Sequence, residues 1–293
     1  MNPQLIFIHA LSPLHAGTGQ GVGVIDLPIA REKATGLPFL PGSSLKGAMR
    51  SLCSGENCSK IFGAEVTGIA SEYTASAVQF SDQRLLLLPV RSLAGTFAWV
   101  TCPYVLRRLA RDIADAQIPL PVASIPTITD VQQCLIADSS AAKIVFKDKA
   151  AVYLEDLDLT AQSHPDIATW ATWIGERVFT DTAWRQMLTE RICVVHDDVF
   201  AFLLDTATEI TARIKLRDDS KTVQDGGLWY EEALPAETIL SGIVIIQPTR
   251  NAGITATAAY KEIQALTTKV IQFGGKATVG RGLCHVQITQ EGL

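Results

Sequence analysis

The chain carries a strand–helix–strand pattern at each end, with a long, mixed stretch between them, and this arrangement constrains the fold most. "QLIFIHAL" (4–11) is apolar and isoleucine-rich, as a buried strand requires. A glycine- and proline-rich loop runs from Ser12 to about Gly42, and residues 43–52 then read as a helix. Its expected N-cap is Ser43 or Ser44, with Leu45, Met49 and Leu52 on one face. At the other end, "TILSGIVIIQP" is a buried strand. Residues 256–273 place Ala259, Ile263, Leu266, Val270 and Phe273 at helical spacing, "GGKATVGRG" (274–282) is a loop, and "LCHVQIT" closes as a strand. Two such units in one chain fit a split βαβ, ferredoxin-like α+β core with large insertions.

The middle is read more coarsely. Strands are expected within 76–90 and 96–100, a helix from Pro103 to about Ala116, a strand pair around "KIVFK" and "AVYLED", and two tryptophan-bearing helical pieces between 165 and 190. "TEITARIKL" (208–216) and "LWYEEA" (228–233) flank a turn-rich segment, the pattern of a long β-hairpin with a mobile tip. The insertions therefore fall at roughly 53–75 and 103–190, and the hairpin at roughly 205–235, within a single domain spanning 1–293.

With 47% hydrophobic residues, the chain can bury a sizeable core. The N-terminus lacks a basic segment and His9 interrupts its apolar run, so a cytoplasmic protein with no membrane partner is expected. The six cysteines are scattered, give no disulfide framework, and are expected to be reduced thiols. The Cys53/Cys58 and Cys193/His196 spacings match no strong zinc pattern. A formal net charge of −5 argues against a simple nucleic-acid binder, so any such role must rest on a local basic surface.

Nucleotide signatures fail. Gly42 and Gly47 have P-loop spacing, but Ala48 and Met49 stand where its lysine and hydroxyl belong, and "GGKATVGRG" follows a helix and precedes a strand, the reverse of the required order. No nucleotide cofactor is expected. What remains is a helix N-terminus with Lys46 and Arg50 on adjacent turns, which suits a phosphate, and a glycine loop carrying Lys276 and Arg281 that permits close backbone approach. Asp26, in "GVIDLPIAR", is either a turn residue or a catalytic carboxylate, and Arg31 is its evident ion partner. His15 is either a structural histidine or a base.

The phrases "VIDLPIARE", "GLPFLPGSSLKGAMR", "LWYEEALPAETIL" and "FGGKATVGRG", spread from residue 11 to 282, resemble the RAMP superfamily of CRISPR effector proteins, and within it the backbone subunits of Type III-B (Cmr) complexes. The resemblance implies several copies stacked in a filament along one guide RNA, a hairpin "thumb" that interrupts the guide–target duplex, other Cmr subunits as partners, and metal-dependent cutting of target RNA. By motif match the catalytic residue is Asp26, which is also the candidate ligand of a weakly held Mg2+ or Mn2+. His15, Tyr230 and Glu231 are secondary candidates. The guide backbone would lie on Ser43, Ser44, Lys46 and Arg50, with Gly274, Gly275, Lys276, Gly280, Arg281 and Gly282 beside them. Two rival readings stay open: a guide-binding scaffold that does not cut, and a metabolic enzyme whose glycine loops hold a small phosphorylated ligand.

Overall fold

The computed structural model describes residues 3–21, 23–63, 75–248 and 253–289. The N-terminal unit consists of β1 (Gln4–Ala10), β2 (Phe39–Leu40), α1 (Gly42–Leu52), α2 (Cys58–Phe62), β3 (Val78–Phe80) and β4 (Gln83–Arg91). A first insertion follows: β5 (Phe97–Thr101), α3 (Pro103–Asp115), β6 (Gln133–Ile136), β7 (Ile144–Phe146), β8 (Lys149–Leu154), β9 (Leu157–Ser163), α4 (Pro165–Val178), α5 (Thr182–Arg191), β10 (Ile192–Val195) and α6 (Asp197–Thr206). The hairpin is β11 (Glu209–Leu216) and β12 (Val223–Ala233). The chain then completes β13 (Ile239–Ile246), α7 (Ala256–Thr267), β14 (Ile271–Gln272) and β15 (Leu283–Ile288).

The strands of the two terminal units interleave. Along the sheet the order is β14-β15-β1-β13-β4, and all of these pairs are antiparallel. The chain's first and last long strands are therefore neighbours at its centre, with His9 opposite His285 and Ile6 opposite Ile288. The insertion extends the same sheet through β5-β10-β6-β9-β8-β7, with two parallel joints, β5–β10 and β6–β9. The result is a mixed α+β molecule built on one continuous mixed sheet.

All seven residues of β1 are buried, which explains its unbroken apolar run. A strand with only one covered face would alternate. Here α7 lies against β13 and β15, while α4 lies against β1 and β15. Phe7 meets Trp173 of α4 edge-on, at 6.3 Å between ring centroids. At the next turn His9, Phe179, Trp184 and Trp99 form an aromatic cluster. Glu237 ties it down: its carboxylate meets His9 Nε2 at 2.6 Å, and its carbonyl accepts the Trp99 indole N–H at 2.8 Å. The tryptophan-bearing helices are thus a lid on the second face of the central sheet.

Several sequence expectations are corrected. Neither Ser43 nor Ser44 caps α1. The N-cap is Pro41, and the Asp82 carboxylate accepts the Gly42 N–H at 2.9 Å instead. On the expected apolar face Leu45 and Met49 are buried, but Leu52 is exposed.

 The helical period at the other end is also misleading. α7 stops at Thr267, Val270 is exposed, and Phe273 is buried at the start of the glycine loop beyond β14. The cysteines are not all thiols: Cys53 and Cys58 form a disulfide with Cα atoms 5.8 Å apart, while Cys102, Cys134, Cys193 and Cys284 are buried and free. Cys53 is the C-cap of α1 and Cys58 opens α2, so the short connection that reverses the chain brings the two sulfurs together. The expected insertion at 53–75 lies partly outside the described residues, since 64–74 are not among them. β10 and α6 were not expected from the sequence, and both are needed to carry the chain from the lid to the hairpin.

Candidate RNA-binding and cleavage site

The Ser12–Gly42 segment is not a free loop. It folds back on itself, with Ala30 N–H donating to Ala16 O at 2.7 Å and Gly21 N–H to Asp26 O at 2.8 Å. Its outer half is then stapled to β12. Leu27 N–H donates to Tyr230 O at 3.1 Å, and Glu232 N–H donates to Leu27 O at 3.0 Å. Asp26 sits at the outer end of this ribbon, exposed to solvent, and one carboxylate oxygen accepts the Tyr230 N–H at 2.7 Å. Arg31, the expected partner of Asp26, instead pairs with Glu232 at 2.6 Å.

Three successive residues of β12 therefore organise the site. Tyr230 holds Asp26 through its backbone and is itself 40% exposed. Glu231 is buried and accepts Lys276 Nζ at 2.7 Å and the Trp229 indole N–H at 2.8 Å, with Arg213 Nε at 3.4 Å. Burial pushes its carboxyl up, but the Lys276, Trp229 and Arg213 contacts outweigh this and hold it below the ordinary value. Glu231 is thus a committed ion-pair member. Glu232, also buried, accepts Arg31, the Ile29 N–H and the Thr208 hydroxyl. Its carbonyl takes a hydrogen bond from His15 Nδ1 at 2.6 Å, which requires that nitrogen to carry a proton. His15 is 6% exposed and serves as a buried strut beneath the glycine loop.

That loop is held by backbone geometry. Gly275 N–H donates to His15 O at 2.9 Å, and Gly282 N–H donates to Pro13 O at 2.9 Å. Gly274 and Gly282 both have positive φ, and a Cβ on either would strike a carbonyl, that of His15 or of Phe273. Gly280 is exposed, whereas Arg281 is buried, reaching Thr211 Oγ1 at 3.2 Å with Glu209 at 3.7 Å. Lys276 and Arg281 thus both face the base of the hairpin.

The helix α1 stands on the other side of the loop. Ser44 and Ala48 line one wall of a cleft of about 330 Å3, whose other walls are Ala16, Gly17, Gln272, Gly274 and Gly275. Ser43 is exposed, and Lys46 and Arg50 are half-buried. Burial, and then the Arg50 charge one turn away, lower the Lys46 ammonium from its ordinary value. An anion between the two would relieve that repulsion. Arg50 also borders a second groove, of about 720 Å3, with Gly47, Ser51 and the Cys53–Cys58 bridge. The four cations expected to form one grip thus divide: Lys46 and Arg50 lie on the helix, and Lys276 and Arg281 brace the hairpin.

Sequence reasoning missed Arg31, Glu232, Arg213 and Trp229 as site residues. One signal was present. Two adjacent acids in "LWYEEALP" cannot both alternate outward on a strand, so at least one must be buried and paired.

Among the described residues no group of three or more His, Cys, Asp or Glu side chains is placed to hold a metal, and no helix is long and apolar enough to cross a membrane.

A model described as the RAMP superfamily matches residues 7–285. The chain is 34% identical over 297 residues to a protein of Pyrococcus furiosus named CRISPR system Cmr endoribonuclease Cmr4, covering 99% of this chain and 97% of that one. It is 24% identical over 299 residues to the CRISPR system CMR subunit Cmr4 of Saccharolobus solfataricus, covering 96% and 94%. The crystal structure of oligomeric Cmr4 from Pyrococcus furiosus superposes with a TM-score of 0.75 at 27% identity, covering 99% of this chain and 98% of that one. A chain of the Type III-B Cmr-beta complex bound to cognate target RNA shares the fold, with a TM-score of 0.72 at 20% identity over 98% and 97%.

Proposed function

The chain belongs to the RAMP superfamily, and from that premise we propose that it is the guide-RNA-binding backbone subunit of a Type III-B CRISPR effector complex and the endoribonuclease that cuts the paired target RNA. It works in the cytoplasm, with guide RNA, target RNA, further copies of itself and the other Cmr subunits as partners. The observation that carries the cutting role is the exposed Asp26 carboxylate, fixed by the Tyr230 N–H beside the hairpin base.

In finer terms, the β15-β1-β13-β4 order with α1 and α7 supports a ferredoxin-like core, and β11–β12 supports the thumb. The guide backbone runs over the N-terminal turns of α1. Ser43, Ser44, Lys46, Arg50 and the glycine-loop backbone meet phosphates there, contacts that hold RNA without reading its sequence. The glycine loop's two cations contribute field and brace the thumb. The thumb separates guide from target, and a base splayed beside it frees its 2′-hydroxyl to line up with the adjacent phosphate. Asp26 takes the proton from that hydroxyl as general base; the 2′-oxygen bonds to the phosphorus, the P–O5′ bond breaks, and the products are a 2′,3′-cyclic phosphate and a 5′-hydroxyl whose proton comes from water.

A divalent ion fits this donor set in one form only. With one carboxylate oxygen already bonded to the Tyr230 N–H, Asp26 would hold a Mg2+ or Mn2+ only weakly, through its other oxygen, as an alternative to its role as base. When bound, such an ion supplies stabilisation of charge on the phosphate oxygens.

The test is cutting of a labelled complementary RNA by assembled wild-type and Asp26→Asn complexes at equal target occupancy. The substitution keeps size and most hydrogen bonding, and the rate should fall at least roughly a hundredfold with guide and target binding unchanged. Equal rates would return Asp26 to a turn residue and favour a scaffold without cutting activity.

A further inference from the structure

We infer that Glu232, paired with Arg31, is a positioning residue for the cutting reaction, acting through Asp26 rather than on RNA. The inference rests on the general-base role proposed for Asp26. Asp26 is exposed at the end of a glycine-rich ribbon, and its carboxylate is steadied by the Tyr230 N–H. A side chain so placed is aimed only as well as the ribbon beneath it. Glu232 is 3% exposed, and it gathers that ribbon at several points. Its Oε2 accepts the Ile29 N–H at 3.0 Å, and its Oε1 accepts Arg31 Nη2 at 2.6 Å and Thr208 Oγ1 at 3.2 Å. Its N–H bonds Leu27 O, next to Asp26 in the chain, and its carbonyl takes His15 Nδ1.

Arg31 extends the hold to the rest of the molecule. It donates to Gly36 O at 3.0 Å, where the ribbon turns back, and to Leu204 O at 2.8 Å, near the end of α6. The ion pair therefore joins the Asp26 ribbon, the hairpin strand and the last helix of the insertion. Displacements near 1 Å in a reacting group can cost about a hundredfold in rate, so loosening this junction should show in catalysis while RNA remains bound.

The experiment compares four variants in assembled, guide-loaded complexes: Glu232→Gln, Arg31→Gln/Glu232→Gln, Asp26→Asn and Asp26→Asn/Glu232→Gln. The paired glutamine variant leaves no charge unmatched in the interior, so it guards against a simple folding failure, and thermal unfolding is recorded for each. Single-turnover cutting at saturating target and the target Kd are the readouts. Both glutamine variants should cut about ten- to a hundredfold more slowly with target Kd unchanged, and adding Glu232→Gln to Asp26→Asn should cost nothing further. Wild-type rates in the glutamine variants beside an inactive Asp26→Asn would overturn this inference alone. So would a loss confined to Kd, or losses that multiply in the Asp26→Asn/Glu232→Gln variant. An Asp26→Asn complex that cuts at the wild-type rate would overturn the general-base role itself, and the positioning role with it.

Discussion

Two adjacent glutamates show how differently neighbouring charges behave. Glu231 lies in a lysine, arginine and indole cage, and its folded pKa lies below the ordinary 4.5. A carboxyl with a depressed folded pKa contributes stability that is present above its unfolded value and is lost as pH falls through the folded one. The Glu231–Lys276 contact should therefore leave stability flat from neutral pH down to about 4.5 and surrender it below. Glu32, held low by the Arg108 fork, adds in the same direction. Thermal unfolding of wild type and Glu231→Gln across pH 3–7 checks this: the variant should be less stable at neutral pH and lose less on acidification, and superimposable profiles would refute it. Lys46 is a different case: it lies half-buried on α1 beside the like charge of Arg50, and the function proposed above gives it a phosphate as partner. Lys46→Ala should reduce the slope of log guide affinity against log salt by about 0.7, the share of one phosphate contact on a single strand, equally for two unrelated guides. Sparing one guide while weakening the other would mean that base identity is being read there. At this scale Asp26 could be singled out in the sequence because its motif is local, but its hold on the Tyr230 N–H could not be read there. Glu231 and Glu232 look like surface acids because their partners, Lys276 and Arg31, are far away in the chain.

The elements that read correctly were those whose signal is local and whose faces are covered on the expected side. β1, β13 and β15 are such runs, and the hairpin alternates along β11. Failures have physical causes. Val270 and Phe273 continue a helical period by chance, but Phe273 is buried through the glycine loop, not through α7. Ser43 and Ser44 have N-cap chemistry, yet Asp82, distant in sequence, supplies the acceptor. "ICVV" was too short to separate strand from helix, and only its pairing with β5 and β6 makes it β10. The α1–α2 joint was also misread, because a cysteine pair with four residues between its members says nothing about oxidation. The Cys53–Cys58 bridge closes a very short loop, so its entropic contribution is about 2 kcal/mol. Cys53→Ser/Cys58→Ser should lower stability by that amount, and added dithiothreitol should destabilise wild type equally without affecting the variant. A wild-type protein insensitive to reductant would show the pair to be thiols in solution.

The whole molecule leaves one large feature uncovered. A two-stranded hairpin is marginally stable alone, yet β11–β12 projects a face in which Ile214 pairs with Leu228 and Leu216 with Val223, all exposed, with Ile210 and Tyr230 further along. An exposed apolar stripe of this kind marks an interaction surface, and on the function proposed above it meets bases or another copy. The molecule also carries a formal net charge of −5, so copies repel one another, and on the function proposed above RNA is drawn only to the local cations of α1 and the glycine loop. Assembly should therefore be driven by RNA that bridges the α1 surfaces and by the apolar hairpin face, not by global attraction. Heterologous contacts of this kind do not close into a ring and so grow as a filament. Sedimentation of the chain with guides of increasing length should show stepwise larger species. Ile214→Asp/Leu228→Asp, which puts charge on the apolar face while leaving α1 untouched, should keep the affinity of one copy for a short guide but abolish the steps. A strict monomer on long guide RNA would remove the filament. Undiminished steps in the aspartate variant would move the contact between copies away from the hairpin.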